Sequence, residues 1–457
     1  MRCARFQDLA FELHQEILDW LSLDSIVNLA QTSYAFRRLI LSNAGTPFLV
    51  KAYRKDPFPL PTSTSLNNPP SNFYQLCVHS VRLHERLSSA DVSTALRPKK
   101  FTSIPLPFYP VVTAPYDIFV FRDILVLAHN TLMIVDMSAA RFAKIALPYS
   151  IREFSCQMAD DSSNLTAVIT RDNRDNIHLY CYRIDVDASH FGEKTDLFDI
   201  ALPPDMDVRE CLIEDSHIFV NGFTDCIILN FRNSTGLYVQ IDDIEVINRI
   251  SAHPTLEHLV VEYRIDTADK LGHVLAVPIP TILPELFPEN SVAPIWQTQH
   301  IAPPENALRL PDPNVDAEDL TQYNGYCLNS SRPRGKTGSK MLQIFHFRGL
   351  QIHSLLFWPD LWVCARARPT SENPPDLQFM DARGIHQWGL YSDAILRTSE
   401  TPPYKIYVML TNKHGDMRWV WLGLDLVVQE ADQLWGFDHS LGRLFVRTQN
   451  ELHIVHY

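Results

Sequence analysis

The side chains best suited to chemistry in this 457-residue chain do not form a reaction centre by spacing alone. Gly335-Lys336-Thr337 ends like a phosphate-cradling loop. That loop needs an earlier glycine where Ser330 stands, and Pro333 interrupts the turn. His453 and His456 lie three apart on a strand-like run, so their imidazoles project to opposite faces and cannot share a metal without further ligands. The acidic pairs Asp160-Asp161 and Asp242-Asp243 sit in turn-like stretches, where carboxylates are ordinarily solvated. No G-x-S-x-G elbow occurs. The eight cysteines include no C-x-x-C pair and are scattered along a long chain, which points to buried reduced thiols. The expectation is a non-catalytic protein without metal or cofactor. One cluster remains: Arg332, Arg334, Lys336 and Lys340. Arginine grips phosphate or carboxylate with two parallel hydrogen bonds, so this loop could hold a phosphorylated or acidic segment of another protein. A solvated hairpin tip is the plainer alternative.

Composition narrows the partners. Hydrophobic residues make up 46% and charged residues 20%, enough to fill cores in a globular protein. The formal net charge of −13 has the wrong sign for nucleic-acid binding and for a basic membrane-binding surface, so neither partner is expected. Asp8, Glu12, His14 and Glu16 interrupt the place where a signal peptide would carry its apolar segment, and no run is long enough for a membrane helix. A cytoplasmic or nuclear protein is expected.

Three kinds of segment must position whatever function exists. Residues 1–55 read as a small helical domain. Leu9, Leu13, Ile17 and Leu21 recur every fourth residue and Leu18 widens the stripe. Asp8 suits the cap of a first helix, Asp24 signals a second start, and Phe36, Leu39 and Ile40 mark a third short helix that Gly45 and Pro47 end. Residues 56–102 read as a linker, with five prolines in 56–72 and a helical pattern over 73–88 that packs between the flanking domains. From 103 to 457 short apolar runs alternate with polar turns.

Hairpins are readable there at 124–137, 165–184, 217–231, 258–279, 405–424 and 443–456, with two looser ones turning through 331–340 and 368–375. The first four turns centre near residues 129, 173, 223 and 268. A step of about 45 residues with several strands per unit is the signature of a β-propeller, here of seven or eight blades. Asp161-Ser162, Asp215-Ser216, His253-Pro254 and Asp438-His439-Ser440 fall where each innermost strand would turn. An outer strand from residues near 101–113 would close the ring against the last blade, because an open edge invites aggregation. The stretch 278–313, with nine prolines, reads as a long loop on one face.

Residues 9–39 resemble the F-box. Leu9, Ala10, Phe11 and Glu12 stand in the place of its opening Leu-Pro-x-Glu, followed by Glu16-Ile17-Leu18 and Leu21. Leu23 and Ile26, then Leu29 and Ala30, match its next leucine-rich element, and Thr32, Ser33, Phe36 and Leu39 its last. Ala10 for the proline and Phe36 for the usual tryptophan are the departures. The resemblance implies a substrate-recognition subunit of a ubiquitin ligase. Leu9, Leu13, Ile17, Leu18, Leu21, Ile26, Leu29, Phe36 and Leu39 would dock a Skp-type adaptor, and through it cullin and RING subunits. The large β domain would hold a client protein near a ubiquitin-charged enzyme, raising its effective concentration. Two other readings stay open: an adaptor-binding scaffold without a degradative role, and a propeller interaction module or enzyme whose helical N-terminus is structural.

Overall fold

The structure is a computed structural model. It describes residues 11–55 except 43–44, residues 69–105 except 91–92, and, from 117 on, the strands and most of their connections. Residues 1–10, 56–68, 106–116, 310–325, 331–339, 367–376, 379–393 and 425–433 lie outside the described set, with some shorter turns and the side chains from 305 to 403. Among the described residues no helix is long and apolar enough to cross a membrane.

Among the described residues five helices come first: α1 (Phe11–Trp20), α2 (Leu23–Thr32), α3 (Tyr34–Leu41), α4 (Thr46–Lys55) and α5 (Phe73–Ser89). Asp24 sits in the first turn of α2, where its charge meets the positive helix end, while Ser22 occupies the cap position. A single extended residue, Ser33, separates α2 from α3. Gly45 and Pro47 do not end the helical region, contrary to the sequence expectation. Pro47 lies in the first turn of α4, where its missing N–H costs nothing.

The rest of the described residues form a ring of seven sheets. The strand β1 (Lys100–Pro105) precedes them. Blade one is β2 (Asp117–Phe121), β3 (Ile124–Ala128), β4 (Leu132–Asp136) and β5 (Arg141–Ile145). Blade two is β6 (Glu153–Met158), β7 (Asn164–Asn173), β8 (Asn176–Asp185) and β9 (Lys194–Ala201). Blade three holds β10 (Glu210–Glu214), β11 (His217–Asn221), β12 (Asp225–Asn230) and β13 (Thr235–Ile241). Blade four holds β14 (Val246–Ala252), β15 (His258–Arg264) and β16 (His273–Pro278). The chain then makes β17 (Thr298–Ile301) and β18 (Leu308–Arg309). Blade five is β19 (Tyr326–Ser330), β20 (Lys340–His346), β21 (Gln351–Trp358) and β22 (Leu361–Arg366). Blade six is β23 (Leu377–Gln378), β24 (Ala394–Ser399), β25 (Ile406–Thr411) and β26 (Met417–Leu422). Blade seven is β27 (Leu434–Asp438), β28 (Arg443–Arg447) and β29 (Glu451–His456), completed by β1.

First strands of successive blades pack on one another, β2 on β6, β6 on β10, β10 on β14 and β14 on β19, which sets them around a common axis. β1 closes the ring by pairing antiparallel with β29 from Lys100↔His456 to Pro105↔Glu451. The closing seam is apolar, with Ile104, Phe445 and Ile454 of blade seven against Leu125, Leu127 and Val135 of blade one. Arg443 is nearly sealed there (side chain 4% exposed) and bonds to Asp438 and Asp123, each at 3.0 Å. This architecture is a seven-bladed β-propeller.

Turn chemistry recurs between blades. Asp136 Oδ1 accepts from the N–H and Oγ of Ser138 and from the N–H of Ala139, and Asp438 Oδ1 does the same with Ser440 and Leu441. In each case the second carboxylate oxygen takes an arginine Nε, from Arg141 at 2.9 Å and from Arg443 at 3.2 Å. Asp215 turns the β10–β11 hairpin at φ 55°, a left-handed value that aspartate tolerates.

The second of the two looser hairpins, expected through 368–375, lies outside the described residues; β22 before it ends blade five and β23 after it begins blade six. The proline-rich insertion is not the long loop that the sequence suggests. β17 pairs in parallel with β13 as a fifth strand of blade three, and β18 pairs with β16 as the outer strand of blade four. The insertion carries enough apolar bulk to be worth burying. Leu286 is fully enclosed, and Trp296 packs in the same core as Leu229 and Ile213. A Cβ on Gly236 would stand 2.9 Å from Trp296 and 3.2 Å from Leu286, so a glycine is what lets this strap lie against β13.

Helix α5 packs against both the bundle and the ring. Phe73, Tyr74, Cys77 and Val81 of α5 belong to the core of the helical bundle. Leu83 and Leu87, on the same helix, pack with Val408, Val420 and Leu444 of blades six and seven. Arg418 of blade six caps the helix by donating to the carbonyls of Ser88 and Ala90. Leu96 then bridges to Leu422 at the edge of that blade. One helix thus contributes to two cores.

Candidate functional site

The helical bundle has an inside and an outside, and the expected docking residues divide between them. Leu18, Ile26 and Phe36 are 1%, 0% and 3% exposed, shut inside with Leu23, Val27 and Ile40. They were expected to touch an adaptor. In the structure they shape the surface from beneath, because the stripe that includes Leu18 is the one the bundle needs for its own core. Leu21, Leu29 and Leu39 are half-buried against that core. Ile17 is half-buried and Leu13 is exposed, while Leu9 lies outside the described residues.

A second stripe faces outward. Leu13, Ile17 and Trp20 recur at i, i+4 and i+7 on α1, and Trp20 is 82% exposed. On α3, Tyr34 is equally exposed and Leu41, seven residues on, stands at 47%. Arg37 and Arg38 flank that second line and are exposed. His14 meets Phe36 edge-on at 5.1 Å and so keeps the two helices together, while the Lys51–Asp19 ion pair (2.7 Å) ties α1 to α4. Large apolar side chains held outward on a rigid scaffold, with cations at their margin, are what a protein interface requires. The sequence reading missed Trp20, Tyr34 and Leu41. Trp20 completes the spacing begun by Leu13, and that spacing was the available signal.

The expected client-gripping residues Arg332, Arg334 and Lys336 lie outside the described residues. Lys340 opens β20, and its backbone pairs with Phe357. The hairpin expected through 331–340 is the β19–β20 connection. Elsewhere the propeller offers two apolar features. Phe223 and Ile265, at 47% and 48% exposure, stand at the β11–β12 and β15–β16 turns of adjacent blades, and the Arg209 guanidinium lies 5.1 Å from the Phe223 ring. The strap over blade three exposes Ile282, Val292 and Ile295.

Several titratable groups among the described residues have structural surroundings. Cys77, Cys181 and Cys226 are buried free thiols, and burial pushes each up to about 12, so none is a nucleophile at neutral pH. His453 is a satisfied histidine between Ser103 Oγ (2.7 Å) and Thr448 Oγ1 (3.0 Å). Asp242 and Asp243 lie on a turn, with Asp242 facing His300 of the strap at 3.1 Å. Asp160 and Asp161 lie outside the described residues.

The family model of the F-box domain matches residues 6–45. No curated protein shows a significant sequence match to the chain. Among solved structures, the β-propeller domain of Cps50 (Swd1) from Myceliophteria thermophila aligns at 10% identity over 78% of this chain and 99% of its own, with a TM-score of 0.41. BamB from Moraxella catarrhalis aligns at 10% identity over 78% of this chain and 98% of its own, with a TM-score of 0.37.

Proposed function

We propose that this chain, whose residues 6–45 are an F-box domain, is a substrate-recognition subunit that binds a Skp-type adaptor through its helical bundle and carries a client protein on its propeller. F-box domains in general belong to ubiquitin ligase adaptors, are non-catalytic and bind Skp1-type adaptors. The observation that carries the reading for this chain is the outward stripe of Leu13, Ile17 and Trp20 on α1. It leaves apolar surface uncovered on a bundle that already has a closed core. Burying such a stripe supplies affinity, and the cullin and RING subunits would follow through the adaptor.

α5 gives the reading its mechanical sense. A flexible tether would let the client wander, whereas a helix rooted in both cores holds the client surface at a fixed offset from the adaptor. Ubiquitin transfer needs client lysines kept near the charged enzyme, so a rigid offset raises their effective concentration. The hairpin tips with Phe223 and Ile265 and the strap's Ile282, Val292 and Ile295 are the surfaces on which a client would sit.

The test is co-expression with a Skp-type adaptor, followed by reconstitution with cullin, RING and charged enzyme. Co-purification with ubiquitylation of a bound client supports the reading. Co-purification with a bound client left unmodified favours the scaffold alternative. An adaptor that does not co-purify with the intact chain overturns the proposal.

A further inference from the structure

The junction between helical bundle and ring gathers positive charge that the described part of the chain does not neutralise. Arg82 and Arg86 stand one turn apart on α5, and the chain returns beside them with Arg97, Lys99 and Lys100 as it enters β1. Arg86 Nη2 donates to the carbonyl of Arg97 at 2.5 Å, which fixes the two segments side by side. Its Nη1 is enclosed and makes no hydrogen bond. Arg82 Nη2 reaches across to Gln31 Oε1 of α2 at 3.2 Å, so the cluster touches the F-box bundle as well. Arg37 of α3 lies on the same side, since it and Arg82 both act on the buried Tyr74 hydroxyl.

Like charges held together cost free energy that the fold must offset. Burial and the charges of Arg86 and Arg82 lower the Lys99 ammonium below its ordinary value, and burial, aided by the Lys99 charge, lowers His79. Among the described residues none of Arg82, Arg86, Arg97, Lys99 and Lys100 forms an ion pair with a carboxylate, although the whole chain carries a net charge of −13. Exposed cations on an acidic protein ordinarily find acidic neighbours. Here Glu85 is on the helix and still pairs with none of them.

We propose that this junction is a binding site for a small, multiply charged phosphate anion, held by Arg82, Arg86 and Lys99 with Lys100 and Arg97 at its margin. The exposed guanidinium of Arg82 would donate to the anion, the Arg86 charge behind it would add to the field, and the two ammonium groups would act as point charges. The seam spans one helical turn and the start of one strand, which suits a compact anion. A long polyanion would be repelled by the rest of this acidic surface. A bound anion would tie α5 to β1 where the bundle meets the ring. This site does not depend on the adaptor reading.

The test is calorimetric titration of the full chain with inorganic tripolyphosphate, against sodium chloride at matched ionic strength. Saturable binding near one equivalent is expected. Each removed cation should weaken it about tenfold, first in Lys99→Gln, an exposed position that leaves the fold alone, and further in Arg82→Ala with Arg86→Ala. Arg232→Ala, on the far-removed β12–β13 turn, should bind as the parent does. Absence of saturable heat, equal binding by the Lys99→Gln and Arg82→Ala/Arg86→Ala variants when both melt cooperatively, or uptake of a phosphoserine peptide without tripolyphosphate would each overturn the proposal.

Discussion

Replacing Gly442 by alanine tests whether α5 is truly seated on the propeller. Gly442 turns the β27–β28 hairpin at φ +62°, and a Cβ there would fall 2.6 Å from Leu83 Cδ1 and 3.1 Å from Cδ2. Leu83 cannot simply swing away, because it is 3% exposed and wedged among the buried side chains of blades six and seven. The left-handed backbone costs an alanine about 1–2 kcal/mol. Forcing the leucine off its packing costs about 1–3 kcal/mol more. Leu83→Ala alone creates a cavity worth about 2–5 kcal/mol. In the double variant the new methyl fills part of that cavity, so the overpacking cost disappears and only the backbone cost of the turn remains. Urea unfolding of the four proteins of the cycle, with hydrogen exchange read over residues 73–89, should show a favourable coupling of about 1–3 kcal/mol. Additivity within about 0.5 kcal/mol would mean that the helix does not rest on this turn, and the claim that one helix serves two cores would fall.

Three further outcomes follow from the packing and the charges. Leu18→Ala should lower the stability of the bundle by about 2–5 kcal/mol, seen as an earlier helical melt, because Leu18 lies at the centre of the bundle's apolar cluster. Arg443→Met should cost about 3–5 kcal/mol by leaving the shielded Asp438 carboxylate without its cation, and adding Asp438→Asn should recover part of it in thermal unfolding. Burial, aided by the nearby His84, lowers His439 to about 4 from its ordinary value of 6.5. The unfolded chain therefore takes up a proton first as pH falls, so stability drops between about pH 6.5 and 4 by up to about 1.4 kcal/mol per pH unit, and is unaffected by this group above that window. His439→Leu should flatten the slope measured by urea titration, with His79, His217, His453 and His456, all likewise lowered, supplying what remains.

How much the sequence disclosed depended on where the physical signal was local. The hairpins at 124–137 and 217–231 were readable because two apolar strands flank a short polar turn, and the structure pairs them as β3–β4 and β11–β12. The ring closure was foreseeable because a last strand needs a partner, and β1 supplies it. Helix α4 was hidden behind Gly45 and Pro47, residues that stop one helix and equally well start another. The strap over blade three was hidden because prolines suggest a loop, while Leu286 and Trp296 bury themselves against β13 only once the blade exists. Blade six was obscured by β23, a first strand of two residues. At the site, periodicity identified the stripe containing Leu18 but could not say that it faced inward. Only the packing of α1 against α4, and of His14 on Phe36 of α3, left Leu13 and Trp20 outside with Ile17 half-buried between them.

The most direct measurement is the affinity of the full chain for a Skp-type adaptor, with and without Leu13→Asp plus Trp20→Asp. Both side chains are already exposed, at 46% and 82%, so the bundle core is untouched and the variant should unfold as the parent does. Burying a leucine or larger apolar side chain is worth about 1.5–3 kcal/mol, and a carboxylate in its place adds a desolvation cost. Partial burial of the two should still remove about 3 kcal/mol or more, which is about a hundredfold or more in Kd. Saturable adaptor binding by the parent, weakened at least that far in a variant of unchanged stability, is the predicted result. Equal affinity of parent and variant, or no binding by either, would contradict the account.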